Sequence, residues 1–464
     1  MQTEIAVLGA GLTGLAAADC LINQDKDIIV IEKENEPGGM CRSFKKDGFT
    51  FDLGGHRFLS CDQRTTDYVS SLFGNTDELA LRERNSQIYL NGRLLIYPPE
   101  FMDILKNLGV ATCCSGIADS LRCILKCLIK KGPELSLKDW ILNRFGPTLY
   151  NIYFGPYSRK LWGREAADIS SEWAPQRISV PNIAFAMKKM FFRGGKETKT
   201  YSRKFLYPEW GIGEIPKRIA RRIENHGAKI FTNHKAVKIS AVSGGFAITV
   251  RAKESQEREI LAKKIISTIP LNEFLPALNS TLEEDIFNAA ASLQFRSVRF
   301  LNLMIDSSQI TQNTWLYVPE KDFIFFRIQE LSNWHPANCP PGKTALVLEI
   351  ACDKGDDLWG MEDSSLVEIC VRDLIRMGIH IEGKIMGYFC TYSEHAYPVY
   401  SLRYKESLRK VYKYIEGSRN LVIAGRQGLF RYFNMDTAIE SGFSAAESLY
   451  DEARRKEMLN AGAN

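Results

Sequence analysis

Close to the start of the chain, Ile5-Ala6-Val7-Leu8 runs directly into Gly9-Ala10-Gly11-Leu12-Thr13-Gly14, and this junction restricts the fold more than any other stretch. A four-residue apolar run leading into G-x-G-x-x-G predicts a buried strand, a glycine turn and the start of a helix. Gly9 makes the tight turn, Gly11 lets the backbone approach a pyrophosphate, and Gly14 lets the helix pack against the strand. Leu12 and Thr13 fall in the first helical turn, where backbone N–H groups and the helix dipole attract phosphate. A second apolar run, Ile28-Ile29-Val30-Ile31, ends in Glu32 followed by Lys33. A carboxylate at that strand end accepts hydrogen bonds from a ribose diol and argues against a 2′-phosphate.

The next segment, Glu36-Pro37-Gly38-Gly39-Met40-Cys41-Arg42-Ser43, resembles the glycine pair and basic residue that follow the first βαβ unit in the amine oxidase and protoporphyrinogen oxidase superfamily of flavoproteins. The resemblance implies FAD rather than NAD as the cofactor. Gly38 and Gly39 would let the chain pass close to it, and Arg42 would neutralise pyrophosphate charge. The Val237 region is implied to pack beside the adenine.

At 464 residues the chain is too long for one simple core, so two domains are expected. A hydrophobic content of 45% and a charged content of 25% are those of an ordinary soluble protein. The net charge of +5 is small for this length and not gathered in a tail, so nucleic acid is not an expected partner. Eleven cysteines without metal-ligand spacing predict reduced, mostly buried thiols, no metal centre and a cytoplasmic location. No signal peptide is expected, since the first strand begins within five residues of Met1. Leu121 to Lys131 is basic and amphipathic, and reads as a surface helix with one face on the core; membrane contact is not expected.

No repeat or long linker separates the parts, which predicts an α/β fold in which a Rossmann-like FAD-binding domain is interleaved with a mixed α+β substrate domain. The expected FAD-binding pieces are 1–95, 205–295 and 415–464; the substrate domain takes 96–204, its helical part, and 296–414, its strand part. In the last FAD piece the strand Asn420 to Gly425 precedes a helix from Thr437 to Tyr450, which carries small residues Gly442, Ala445 and Ala446 suited to close approach of a flavin or pyrophosphate.

Along the rest of the chain an ordered set appears: Gly54-Gly55-His56-Arg57-Phe58, Gly155-Pro156-Tyr157, Trp173 with Arg177, Pro181-Asn182, Trp315-Leu316-Tyr317 with Arg327, Tyr397-Pro398, and Gly425-Arg426-Gln427-Gly428 with Arg431-Tyr432, Asn434 and Asp436. The set resembles the eukaryotic-type branch of UDP-galactopyranose mutases and spans residues 5 to 450. It implies that Arg177, Asn182, Tyr317, Arg327, Tyr397, Tyr432 and Asn434, with Tyr97 and Trp315, contact a nucleotide sugar. Guanidinium forks and phenols suit a diphosphate that is gripped and released. Gly54, Gly55 and His56 are implied to lie over the flavin ring on a loop that moves with redox state, and Gly425, Arg426, Asn434, Met435, Asp436 and Ala438 to border the flavin and its phosphates. His56, Arg327 and Arg426 are the catalytic candidates. Two departures, Glu100 and Ser158, fall on base recognition, so the diphosphate is better supported than the uridine.

The resemblance implies pyranose/furanose interconversion, in which N5 of reduced FAD attacks the anomeric carbon and no net oxidation follows; an external reductant such as NAD(P)H would prime it. The alternative is an oxidoreductase on the same scaffold, removing a hydride from a small molecule.

Overall fold

The structure is a computed structural model describing residues 1–74, 76–97, 101–129, 134–177, 204–252, 256–278, 282–418 and 420–463. Its first sheet has seven strands. At its centre Gln2–Leu8 pairs in parallel with Ile28–Ile31 on one side and with Glu257–Ser267 on the other. Ile5, Ala6, Val7 and Leu8 are essentially fully buried, as a near-continuous apolar run in a parallel sheet requires. Lys229–Phe231 extends one edge in parallel. On the far side His234–Val242, Gly245–Ala252 and Glu257–Ser267 form an antiparallel meander, and Leu421–Ile423 pairs with the end of the last of these.

The glycine turn leads into the helix Leu12–Ile22, which packs between the helices Glu214–Asn225 and Met435–Ser448. A Cβ on Gly442 would lie 2.4 Å from the carbonyl oxygen of Thr13 and 2.9 Å from Cβ of Ala16. This corrects the expectation for the small residues of the helix Met435–Ser448. Gly442, with buried Ala445 and Ala446, brings two helices together rather than a helix and a ligand.

The second sheet, also seven-stranded, runs Ile385–Pro398, Phe295–Ile305, Thr344–Cys352, Arg327–Glu330, Trp315–Tyr317, Ser86–Leu90, Arg93–Ile96. Side chains alternate across it. Leu301, Leu316, Ile328, Leu346 and Leu348 point to one face and form a core with Leu366, Cys370 and Leu374 of the helix Asp363–Arg376. The register places Tyr317 opposite Arg327, Arg327 opposite Glu349 and Trp315 opposite Gln329 on the other face. Ser86–Leu90 and Arg93–Ile96 join this sheet through Trp315–Tyr317, so the segment expected to belong to the first lobe as far as residue 95 leaves it before Ser86.

Candidate functional site

The dinucleotide signature closes on itself. The Gly38 N–H donates to the Ala10 carbonyl at 2.7 Å, and a Cβ on Gly39 would lie 3.2 Å from the Gly11 Cα, so the two glycine clusters are in contact. Gly9 has φ +97°, the left-handed region glycine alone enters cheaply, and a Cβ on Gly14 would meet the Gly9 carbonyl oxygen at 2.0 Å. Gly11 differs, because a Cβ there would meet nothing within 4 Å. The cradle is open at the position a pyrophosphate needs.

Glu32 is buried and accepts from the backbone N–H groups of Ala10 at 2.7 Å and Glu34 at 2.9 Å; burial raises its carboxyl pKa against these bonds. Thr13 donates to the Ala438 carbonyl at 2.8 Å, and a Cβ on Gly425 would lie 2.8 Å from the Thr13 hydroxyl. Leu12, Met435 and Asp436 are buried beside these contacts, and Asn434 is exposed at the N-cap of the helix Met435–Ser448 with no side-chain bond to that helix end. At Val237 the ladder slips: Ala236 pairs with Val250 and Lys238 with Thr249, so Val237 is a bulge outside the pairing. Arg42 donates to the Gly39 carbonyl at 2.9 Å and pairs with Glu34 at 2.9 Å. Lys33 lies 3.6 Å from Glu273. An open glycine cradle, a ribose-height carboxylate and an unpaired strand position together fit a dinucleotide of the FAD type.

On the second sheet the side chains facing the first lobe form one connected group. Trp315 carries the guanidiniums of Arg57, Arg327 and Arg84 at 5.0, 5.2 and 5.9 Å from its ring. Tyr317 lies 6.3 Å from Trp315 and 5.1 Å from Tyr97, and Tyr157 stands edge-on to Tyr317 at 6.4 Å. A Cβ on Gly55 would strike Trp315 Nε1 at 2.2 Å, which is why glycine stands where the loop crosses the indole.

Arg327 was expected to contact substrate, and the structure gives it an internal partner. It is buried, and its Nε and Nη2 donate to the two Glu349 oxygens at 2.7 and 2.6 Å, while Gln329 donates to the same carboxylate at 2.6 Å. Glu349 also accepts from the Gly55 N–H at 3.4 Å. Sequence reading missed Glu349; its signal is a lone acid inside the apolar run Ala345 to Ala351.

His56 Nδ1 lies 3.2 Å from the Gly54 carbonyl oxygen, and its enclosure, with the charges of Arg426 and Arg327, pushes its pKa down to about 3. Arg426 donates to the Phe433 carbonyl at 2.9 Å and the Ala396 carbonyl at 3.1 Å, fixing the turn after Gly425. Its guanidinium lies 4.8 Å from the Tyr432 ring, and Tyr432 stacks on Tyr397 at 5.6 Å. Burial pushes the Tyr397 hydroxyl up to about 12, so it is a donor at neutral pH. Arg177 ends the short helix Trp173–Arg177, while Asn182 and Glu100 lie outside the described residues. Trp162 and Trp173 are buried against each other at 5.5 Å, in the core.

An NAD(P)-binding Rossmann-like domain model matches residues 7–72. Among solved structures, a reduced UDP-galactopyranose mutase is similar over 100% of this chain and 99% of its own, with TM-score 0.84 and 21% identity. A putative protoporphyrinogen oxidase from Exiguobacterium sp. 255-15 is similar over 96% of this chain and 98% of its own, with TM-score 0.74 and 17% identity. These likenesses establish the fold. The 4,4'-diapophytoene desaturase of Staphylococcus aureus (strain Newman) is 41% identical over 76 residues, which span 14% of this chain and 15% of that protein. The family model of flavin containing amine oxidoreductases matches residues 167–449, more than half of the chain. With the dinucleotide cradle, this makes the cofactor FAD, and the chain belongs to the flavin containing amine oxidoreductase family.

Proposed function

We propose that the protein is an FAD-dependent enzyme acting on a small molecule that carries a diphosphate, in the manner of a nucleotide-sugar pyranose/furanose mutase. One observation carries this reading: three guanidiniums, of Arg57, Arg84 and Arg327, gather on the Trp315 ring beside Tyr97 and Tyr317. Such a grouping suits a polyanion with a flat or ring-shaped end. Full-length likeness to a reduced UDP-galactopyranose mutase supports the same substrate class.

In this reading Arg57 and Arg84 hold the phosphates, and Arg327 is held rigid by Glu349 so that it adds direction as well as charge. Arg177, Asn182 and Asn434 are kept as substrate contacts by resemblance. Neutral Tyr397, with Tyr432 stacked on it, donates to the sugar or phosphate without adding charge, and His56 stays uncharged beside the ring system. The indole and phenol rings exclude water around the leaving group. Reduced FAD supplies a nucleophile at the anomeric carbon in this chemistry, and oxidised FAD supplies a hydride acceptor in the alternative.

The alternative, net oxidation of a small molecule, is favoured by the pairing of Arg327 with Glu349, which compensates one of the three cations. One assay separates the two. Purified protein is given UDP-galactopyranose or UDP-galactofuranose with and without dithionite. Interconversion only after reduction supports the mutase reading; bleaching of the oxidised flavin by substrate, with stoichiometric oxidised product, replaces it.

A further inference from the structure

Lys160 follows Tyr157 by about one turn on the helix Gly155–Trp162. The two side chains reach the same neighbour, the hairpin of Trp315–Tyr317 and Arg327–Glu330. The Tyr157 ring lies edge-on to Tyr317 and to Phe326, each at 6.4 Å. Lys160 Nζ donates to the Val318 carbonyl at 2.9 Å and to the Phe325 carbonyl at 3.1 Å. Those two carbonyls stand at opposite ends of the connection between the strands, where the Val318 N–H also donates to the Phe326 carbonyl at 2.9 Å. The amine thus bridges the mouth of the connection beside a backbone bond.

Tyr317 enters this mouth and Arg327 leaves it, opposite each other in the register. Glu349 holds the Arg327 guanidinium, and the Glu349 carbonyl accepts from the Phe326 N–H at 2.9 Å. Spreading the mouth would therefore move Tyr317 against an arginine that stays in place. A lysine head suits the position, because it carries three donors and no acceptor and can serve two carbonyls at once.

We propose that Lys160 is a positioning residue, a clamp on the hairpin mouth that sets Tyr317 against Arg327; its role in binding rests on the reading of those two residues as substrate contacts. The charges that face the amine are Glu320 and Asp322 of the connection and Asp373 of the helix Asp363–Arg376. Asp373 accepts from the Ile324 N–H at 2.9 Å and from Arg376 at 2.9 Å, and Glu320 accepts from the Asn91 N–H. Burial outweighs the three acids and pushes the Lys160 pKa down to about 7. An amine released into water by opening of the connection returns to the ordinary 10.5, so the closed form binds fewer protons between these values. Closure consequently gains stability as pH rises from about 7 toward 10.5 and is level below 7.

The test is hydrogen exchange of FAD-loaded protein, read by mass spectrometry on peptides within residues 315–328, with peptides of the strand Gln2–Leu8 as internal reference. Corrected for the intrinsic exchange rate, protection of 315–328 relative to the reference should rise about tenfold or more between pH 7 and pH 9. Lys160→Met keeps the stem and removes the amine. It should abolish that rise, lower the protection at pH 9 by about tenfold or more, and weaken UDP binding at the same pH by about tenfold, with flavin content unchanged. Level protection in the wild type overturns the proposal, as does a Lys160→Met protein with undiminished protection or undiminished UDP affinity. Should Lys160→Met fail to fold, the wild-type profile decides alone. A wild type that binds no UDP counts against the diphosphate reading, and the exchange results then still decide whether Lys160 clamps the hairpin.

Discussion

Glu349 receives both nitrogens of the Arg327 fork at 2.7 and 2.6 Å in a buried setting, so the arginine expected to meet substrate is also half of an internal ion pair. The same carboxylate faces the Gly55 N–H, and it thereby ties the sheet's arginine to the glycine loop that carries His56.

Breaking this pair should cost stability as well as function. Arg327→Ala or Glu349→Ala alone should lower unfolding free energy by about 3–5 kcal/mol, because each leaves a buried charge uncompensated. Arg327→Met combined with Glu349→Met should recover most of that loss while diphosphate affinity stays low. Denaturant unfolding and ligand titration of the three variants check this, and additive losses in the double variant would show that the pair is not coupled.

The two central glycines of the turn should fail differently. Gly14→Ala places a methyl 2.0 Å from the Gly9 carbonyl oxygen, a backbone atom, and should prevent correct folding. A methyl at Gly11 meets no protein atom within 4 Å, so Gly11→Ala should fold with near-normal stability yet hold less FAD. The ratio of flavin to protein absorbance, beside the melting temperature, distinguishes them.

His56 should remain neutral across physiological pH. Its folded pKa of about 3 lies below the ordinary value of 6.5, so its contribution to stability is complete above about pH 6.5 and is lost as pH falls toward 3. His56→Asn should flatten that part of the stability profile. An imidazole NMR signal from His56 titrating between pH 6 and 7 would contradict the burial argument.

Arg57→Met should weaken binding of UDP or a UDP-sugar by about tenfold or more, the value of one charge-assisted contact of ~1.5–3 kcal/mol. FAD content should not change, since Arg57 stands on the Trp315 ring and outside the glycine cradle. Calorimetric titration reads the affinity, and unchanged binding would remove Arg57 from the substrate side.

The cofactor half was legible because its chemistry needs particular residue types at fixed spacing: a glycine at 9, 11 and 14, where turn, ligand approach and helix packing leave little room, and a carboxylate at 32. Glu349 was hidden for a physical reason. Its strand is buried on both faces, so Leu346, Leu348 and Ile350 on one side and Val347 on the other blur the alternation that would have marked it. Gly442, Ala445 and Ala446 were misjudged because small residues serve helix crossing and ligand approach alike, and their three- and four-residue spacing belongs to a helix face. Residues 1–95 were expected to stay together in the FAD-binding domain, but nearness in sequence does not say where an edge finds hydrogen bonds; the hairpin of Ser86–Leu90 and Arg93–Ile96 pairs with Trp315–Tyr317, far along the chain.

The Thr13 hydroxyl reaches the Ala438 carbonyl across 425 positions, and Gly442 seats against the same first helix. A ribosome therefore releases the opening turn of the phosphate cradle long before the residues that buttress it exist. Flavin loading becomes a late event in biogenesis, and a transcript cut short before Gly425 should yield colourless, aggregation-prone polypeptide however intact its N-terminal motif.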